Sequence, residues 1–242
     1  MKDLFISLIV QPFYNTLILL VDFLTTDLGI AIIILTIIIR TILFPLSKSQ
    51  IRTQIKMQQV QGPLKEIQKK YKDDREAMGR EMLKLYKEHK LNPFSGIFLI
   101  MIQLPLLIGL YYVFMNSGLP ELNTNLLYSF VPRPEYINTN FLGMIEMTQK
   151  SLLLAILAMI TQFIQMKIIL PKNISSSKNV SSGEINMEDM MKNMQKQMLY
   201  IMPIILFFVS YTFGAIIGLY ILVGNIYSIG QELYIRKTIK RD

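Results

Sequence analysis

The hydrophobic residues of this chain come in long blocks that are separated by polar and charged segments. Residues 28–39 read LGIAIIILTIII, residues 97–115 read IFLIMIQLPLLIGLYYVFM, and residues 151–170 read SLLLAILAMITQFIQMKIIL. A helix of about 20 apolar residues spans the roughly 30 Å hydrocarbon core of a bilayer. The blocks therefore predict an all-α polytopic membrane protein rather than a soluble domain.

Five segments of the chain are predicted to be transmembrane helices. The first covers residues 28–47, and the other four lie within residues 93–235, at about 94–115, 151–170, 199–213 and 215–235. The last two come from one apolar stretch, residues 199–235, which would be about 55 Å long as a single helix. We predict that this stretch turns near residues 213–215.

The N-terminal segment, residues 1–27, is less uniformly apolar, because Gln11, Pro12, Asn15 and Asp22 interrupt it. We interpret roughly residues 12–24 as an amphipathic helix that lies in the membrane interface on the extracytoplasmic side. An additional span at this position is the open alternative.

The segment from residue 48 to residue 92 is strongly charged, with twelve Lys or Arg against six Asp or Glu. Its apolar residues recur at intervals of mostly three to five, which is typical of helices with one apolar face. Asp73 and Asp74 can cap a second helix. We therefore predict a cytoplasmic helical hairpin that turns near residues 72–74, with a kink at Pro63 in its first arm.

Positive charge predicts the orientation of the chain in the membrane. The loop 116–150 has only two Lys or Arg, whereas the linker 171–198 has four and the short basic tail 236–242 has four. Loops rich in Lys and Arg stay on the cytoplasmic side. The hairpin, the linker and the C-terminus are thus predicted to be cytoplasmic, and the N-terminus to lie outside.

The composition excludes several other classes of protein. The net charge of +8 could suggest nucleic acid, but the charge lies in loops beside the apolar blocks, so we expect no specific nucleic-acid partner. The chain has no Cys, which excludes disulfides and thiolate metal sites. A Met-rich run at residues 187–202 indicates either an adaptable binding surface or simply the start of the fourth span.

Arg40 is the most informative polar residue, because a charge inside a spanning helix costs about 2.5–3.5 kcal/mol and normally faces protein or water. Thr36 lies one turn earlier on the same face. The alternative is that Arg40 sits near the cytoplasmic end of the helix and extends its charge to the interface.

Polar residues also recur in the other predicted spans. They are Gln103, Asn116, Gln162, Gln165, Ser210, Thr212, Asn225, Ser228 and Gln231. Any single amide or hydroxyl more often joins two helices than serves a function. One or more in every span favours a shared wet cavity. In the last span, Tyr220, Gly224, Tyr227 and Gln231 fall on one face.

The residues offer little support for catalysis. The predicted spans contain no His and no Asp, and the single histidine, His89, lies in the charged hairpin. Intramembrane proteolysis needs a Ser–His pair, an Asp pair or a metal within the bilayer. We therefore expect that the protein is not an enzyme and uses no cofactor or metal.

Three segments together resemble the YidC family of membrane-protein insertases. The first is IIIRTILFPLSKSQIRTQIKMQ, which places Arg40 before Pro45 and a basic helix. The second is LKEIQKKYKDDREAM followed by LYKEHKLNPFSG, and the third is IQLPLLIGLYY in the second span. The resemblance covers residues 12–237. Two positions depart from the family pattern, since the usual proline is absent from residues 213–215 and Ile221 replaces an aromatic residue.

The resemblance implies a membrane protein insertase and chaperone in its minimal five-span form, located in the bacterial cytoplasmic membrane. It implies a hydrophilic groove that is open to the cytoplasm and to lipid. The residues that it would place in the groove are Arg40, Thr36, Gln103, Gln162, Gln165, Tyr220 and Asn225. The implied partners are nascent membrane proteins and membrane lipid, and the ribosome (in a weak contact) and the Sec translocon could be further partners. The protein is expected to function as a monomer.

Two other functions stay open from the residues alone. A small-solute transporter or channel could use Arg40 as an anion site, although the internal repeat common in transporters is not visible. A structural scaffold could use Arg40 only to pair helices within the bundle.

Overall fold

The computed structural model describes residues 2–72, 74–89, 91, 107–114, 122–169 and 187–239. Its helices are α1 (Lys2–Phe5), a π-helical turn (Ile6–Val10), α2 (Gln11–Phe23), α3 (Leu28–Ile42), α4 (Phe44–Gln59), α5 (Gln61–Lys70), α6 (Arg75–Glu88), α7 (107–114), α8 (Leu152–Ile169), α9 (Met187–Phe213) and α10 (Ala215–Ile239). The described part of the chain is thus mostly helical, as the hydrophobic pattern predicted.

Within the described ranges, one small sheet interrupts this helical architecture. β1 (Asn140–Phe141) pairs antiparallel with β2 (Ile145–Glu146) in the loop before α8. These strands were not predicted from the sequence. Four residues are too few for period-two alternation of hydrophobicity to be visible in the sequence.

Three described helices are long and apolar enough to cross a membrane: Ile6–Phe23, Leu152–Ile169 and Ala215–Ile239. The pair Leu28–Ile42 and Phe44–Gln59 would add a fourth span that is bent by 62°, and Leu199–Phe213 is a shorter apolar helix. Of the predicted span 94–115, only residues 107–114 are described. The protein is therefore a helical membrane protein, and the count of five spans stays a prediction.

The first predicted span ends earlier than residue 47. α3 stops at Ile42, and the chain bends after Leu43 before α4 begins. Pro45 stands at the first turn of α4, where its missing N–H costs no hydrogen bond. If α3 and α4 were one continuous helix, Pro45 would lack the N–H that should donate to the Thr41 carbonyl. Asp27 caps the other end of α3, with its Oδ1 accepting from the backbone N–H groups of Gly29 and Ile30.

The N-terminal helix α2 is more deeply buried than an amphipathic surface helix needs to be. Tyr14, Leu17 and Ile18 on this helix are fully buried. Asn15, which seemed to weaken the segment, donates from Nδ2 to the Leu126 carbonyl at 2.8 Å and accepts at Oδ1 from the Tyr128 N–H at 2.7 Å. Its polarity therefore serves a contact with the loop 122–128.

The charged segment after α4 contains two helices that pack on each other. The helix breaks at Val60, three residues before Pro63, and the chain then forms α5 and α6. Asp74 caps α6 by accepting from the N–H groups of Glu76 and Ala77, as expected. A small apolar cluster lies between the arms and consists of Val60, Leu64, Met82, Leu85 and Leu91. It is separate from the main core.

The apolar stretch 199–235 divides at the position predicted from its length. α9 ends at Phe213 and α10 begins at Ala215. Gly214 between them has a φ of 100°, which glycine adopts without steric penalty. α9 begins at Met187, so the described part of the Met-rich run is continuous with the helix that leads to the fourth predicted span. The linker residues 171–186 lie outside the described residues.

The main core joins α2, α3, α7, α8 and α10. The segment 122–151 covers one end of this bundle, which we call the loop end. Here Leu28 donates its N–H to Asn138, and Ala215 donates its N–H to Gln149 at 2.8 Å. The first turns of α3, α8 and α10 therefore all lie at the loop end, and α4 leaves from the opposite end.

Candidate functional site

The helix α10 is the central element of the candidate site, because it packs along both α8 and α3. Small residues let α8 approach closely: Ala155 and Ala158 are fully buried, and a Cβ placed on Gly218 would lie 3.1 Å from the Leu154 Cβ. Close approach through small side chains is the usual way in which membrane helices associate. The polar residues of these helices are consequently brought into a narrow interface.

The guanidinium of Arg40 occupies space next to Gly224 on α10. A Cβ on Gly224 would lie 2.8 Å from Nη2 and 3.4 Å from Nε of Arg40. Arg40 belongs to the last turn of α3, where a positive charge interacts favourably with the helix dipole. Its backbone carbonyl also accepts a long hydrogen bond of 3.5 Å from Gln231 Nε2. Arg40 is thus fitted between α3 and α10.

Asn225 extends the polar interface from α10 to α8. This side chain is buried, and its Nδ2 lies 3.4 Å from the Ala158 carbonyl and 3.3 Å from Thr161 Oγ1. Gln162 is buried one turn after Ala158, on the same face of α8. Thr36 is buried on α3 and donates from Oγ1 to the Ile32 carbonyl at 2.7 Å.

The structure places the remaining residues of the predicted groove in different settings. Tyr220 is buried in the main core, one turn before Gly224. Gln165 is half-buried on α8. Gln103 lies outside the described residues. Arg40 and Asn225 therefore join α10 to α3 and α8, Thr36 and Gln162 are buried on α3 and α8, and Tyr220 is buried in the main core.

Sequence reasoning missed two residues that shape this site. Gly224 was noted only as part of a helical face, although it provides the space for the Arg40 guanidinium. Thr161 was not singled out, although it lies within hydrogen-bonding distance of Asn225. Their sequence signals are weak, since neither glycine nor threonine is unusual in a membrane helix.

A second polar cluster lies further from the loop end and joins α10, α4 and α8. Arg236 donates from Nε to Glu232 Oε1 at 2.6 Å and from Nη1 to Gln58 Oε1 at 3.4 Å. Gln58 in turn donates from Nε2 to the Ile169 carbonyl at 2.9 Å, near the end of α8. Thr41 and Tyr227 add a hydroxyl pair at 2.8 Å between α3 and α10. This cluster holds the end of α4 against the bundle.

Comparison with known proteins agrees with this architecture. The model of the family described as the 60Kd inner membrane protein matches residues 20–242. The chain belongs to this family. This match and the relatives below confirm the resemblance to the YidC family that the motifs indicated.

Curated relatives in this family carry one name, membrane protein insertase YidC. The protein of Oceanobacillus iheyensis is 32% identical over 216 residues, covering 87% of this chain and 75% of the relative. That of Clostridium tetani is 30% identical over 210 residues, covering 86% and 81%. That of a Geobacter species is 31% identical over 221 residues, but these are only 34% of the relative's length.

Proposed function

We propose that this protein is a membrane protein insertase and chaperone that works through a polar, positively charged groove. The observation that carries the proposal is the guanidinium of Arg40 against Gly224, beside the buried amide of Asn225, in a chain whose relatives are named insertases. Thr36, Gln103, Gln162 and Gln165 complete the proposed groove, and Tyr220, which was also predicted there, packs in the main core one turn before Gly224.

The depth of the Arg40 charge supports this role. Side chains on a helix tilt toward its N-terminus, so the guanidinium lies deeper than the last turn of α3 that carries it. Gly224 is nine residues after Ala215, which corresponds to about 14 Å along α10 at 1.5 Å per residue. In a hydrocarbon layer of roughly 30 Å, that position is near the middle. The charge is thus available to a polar segment at mid-depth.

A polar interface at this depth lowers the barrier to translocation. Backbone and side-chain polar groups that cross hydrocarbon without partners cost several kcal/mol each. A groove with buried amides, hydroxyls and one guanidinium offers hydrogen-bond partners over part of the path. The apolar helix of the substrate partitions into lipid, and this partitioning supplies the driving force. No nucleotide or other cofactor enters this scheme.

The proposed topology has five spans, with the N-terminus outside, the C-terminus inside and residues 48–92 as a cytoplasmic hairpin. Its support is the distribution of Lys and Arg and the arrangement of α10, whose start lies at the loop end and whose last turn carries Arg236 and Lys237. We also propose that α2 lies in the membrane interface. Tyr14 and Asn15, near the middle of α2, bind the loop 122–128 at the loop end of the bundle, which supports a position of α2 along that end.

The proposed partners are nascent membrane proteins and lipid, with the ribosome and the Sec translocon as further partners of the cytoplasmic side. The cytoplasmic hairpin would receive the substrate first. Its α5–α6 pair has only a small apolar cluster of its own, which suits an element that moves relative to the bundle. We propose no catalytic residue and expect a monomer to suffice.

The test is insertion of a single-span substrate into liposomes that contain only the purified protein. Protease protection of the substrate's translocated tail measures insertion. We expect insertion to depend on the protein and to fall in Arg40→Ala at equal abundance. If empty liposomes insert equally well, the proposal is wrong. If the protein instead conducts small anions without inserting substrate, Arg40 belongs to a transporter or channel.

A further inference from the structure

The turn between β1 and β2 has an unusual residue at its first central position. Leu142 has a φ of 51° and Gly143 a φ of 71°, and Met144 donates its N–H to the Phe141 carbonyl at 3.0 Å. Two consecutive positive φ angles with this hydrogen bond are features of a type I′ turn. Such turns strongly favour Asn-Gly or Asp-Gly, because a residue with a large Cβ substituent is disfavoured at positive φ.

Leu142 is held in this conformation from outside the turn. Among the described residues it is the one non-glycine residue with positive φ. Its backbone N–H donates to Asp27 Oδ2 at 2.8 Å, and the ring of the preceding Phe141 packs where a Cβ of Gly29 would be. The turn is thus fastened to the first turn of α3. A conformation that leucine disfavours is maintained although an Asn would fit it better.

The side chain of Leu142 does not enter the core. It is 64% exposed, and Met144 on the same turn is 85% exposed. Phe23 and Leu24, which precede the fastening point Asp27, are 73% and 66% exposed. We call these four side chains the tip patch. Large apolar side chains that are exposed together usually mark a contact surface.

The surroundings of the tip patch indicate lipid as its partner. The uncharged apolar part of α3 begins at Leu28, directly after Asp27, so the bilayer surface must lie close to this level. Residues 136–145 carry no charge, so the turn itself can enter the membrane surface, while the flanking carboxylates of Asp22 and Glu146 stay at the level of the headgroups. Apolar side chains at the boundary between headgroups and acyl chains gain the free energy of apolar burial.

We propose that the tip patch inserts into the headgroup–acyl boundary at the loop end of the bundle and anchors the first turn of α3 to the bilayer surface. This anchor is independent of the insertase function. It explains why an exposed turn carries Leu142 rather than Asn, since the apolar side chain contributes membrane contact that outweighs the less favourable turn conformation.

A tryptophan reporter tests the anchor, because the chain contains no tryptophan of its own. Met144→Trp is reconstituted in vesicles of phosphatidylcholine and phosphatidylglycerol, with and without lipids brominated near the headgroup end of the acyl chains. We expect blue-shifted emission that these lipids quench strongly. The matched control is Lys84→Trp on the exposed face of α6, which should emit like tryptophan in water and resist quenching.

A second substitution separates the anchor from the fold. Leu142→Asn in the Met144→Trp protein keeps a residue suited to positive φ, so the turn should persist and thermal stability in detergent should not fall. Quenching by brominated lipid should nevertheless weaken. Unquenched, water-like emission from Met144→Trp would overturn the proposal and leave a protein partner as the occupant. Equal quenching with Leu142 and with Asn would also overturn it.

Discussion

The guanidinium of Arg40 lies against Gly224, in the place where any larger residue would put its first side-chain carbon. Two helices that are far apart in sequence therefore share one small volume: α3 provides the charge and α10 provides the space. The position of the charge depends on this missing side chain as much as on Arg40 itself.

The first prediction concerns Gly224→Ala. The added methyl group would lie 2.8 Å from Arg40 Nη2, so the flexible guanidinium must move, and we expect insertion to fall severalfold. Folding should survive, since alanine is favoured over glycine in a helix by roughly 0.5–1 kcal/mol. The matched control is Gly230→Ala on the same helix, where a Cβ meets nothing within 4 Å. Equal insertion by both variants would contradict the positioning role of Gly224.

The second prediction concerns the charge of Arg40. If the guanidinium attracts acidic groups, Arg40→Lys should keep most activity, whereas Arg40→Ala should lose substrates with acidic translocated tails. Substrates with neutral tails should suffer less. A pair of unit charges at 4 Å is worth about 4 kcal/mol at an effective dielectric constant of 20, so the difference can be large. Paired substrates that differ only in tail acidity measure it, and equal defects for both would favour a purely structural Arg40.

The third prediction compares two aspartates that cap helices. Asp27 is buried and accepts from Gly29, Ile30 and Leu142, whereas the Asp74 cap accepts from Glu76 and Ala77 in an exposed setting. Loss of a cap costs about 0.5–2 kcal/mol, and Asp27→Ala also leaves a third N–H without its acceptor. Thermal melting in detergent should therefore drop clearly for Asp27→Ala. A larger drop for Asp74→Ala would refute this ranking.

The fourth prediction tests the orientation in the membrane. The chain lacks cysteine, so single cysteines can be introduced without background. Thr124 lies at the loop end and His89 follows α6, and both side chains are exposed. An impermeant maleimide added to intact cells should label Thr124→Cys but not His89→Cys. The reverse pattern would invert the proposed topology.

Features that depend on neighbouring residues in sequence were predictable. The division near residues 213–215 follows from length, and the cap at Asp74 follows from an Asp before a helical pattern. The early end of α3 is a local effect too, because Pro45 forbids the continuous helix that hydropathy alone suggested.

Features that depend on distant partners were not predictable. Asn15 reads as a defect in an apolar helix until the loop 122–128 is placed beside it. The turn at Leu142 needs Asp27, which is 115 residues away. Gly224 gains its meaning only when Arg40 is opposite. In each case the two partners are far apart in the sequence, so the local pattern does not bring them together.

The shortness of the apolar part of α9 has a consequence for the lipids themselves. Residues Leu199–Phe213 span about 22 Å as a helix, which is less than the roughly 30 Å of hydrocarbon around them. Exposed side chains such as Ile204, Ile205 and Phe208 keep this segment in contact with acyl chains. If Leu199–Phe213 is the fourth span, as proposed, those chains must shorten or tilt to match it, which stores elastic strain in a thinned annulus. For the proposed insertase, longer acyl chains would then resist this deformation and slow the passage of polar segments beside α9.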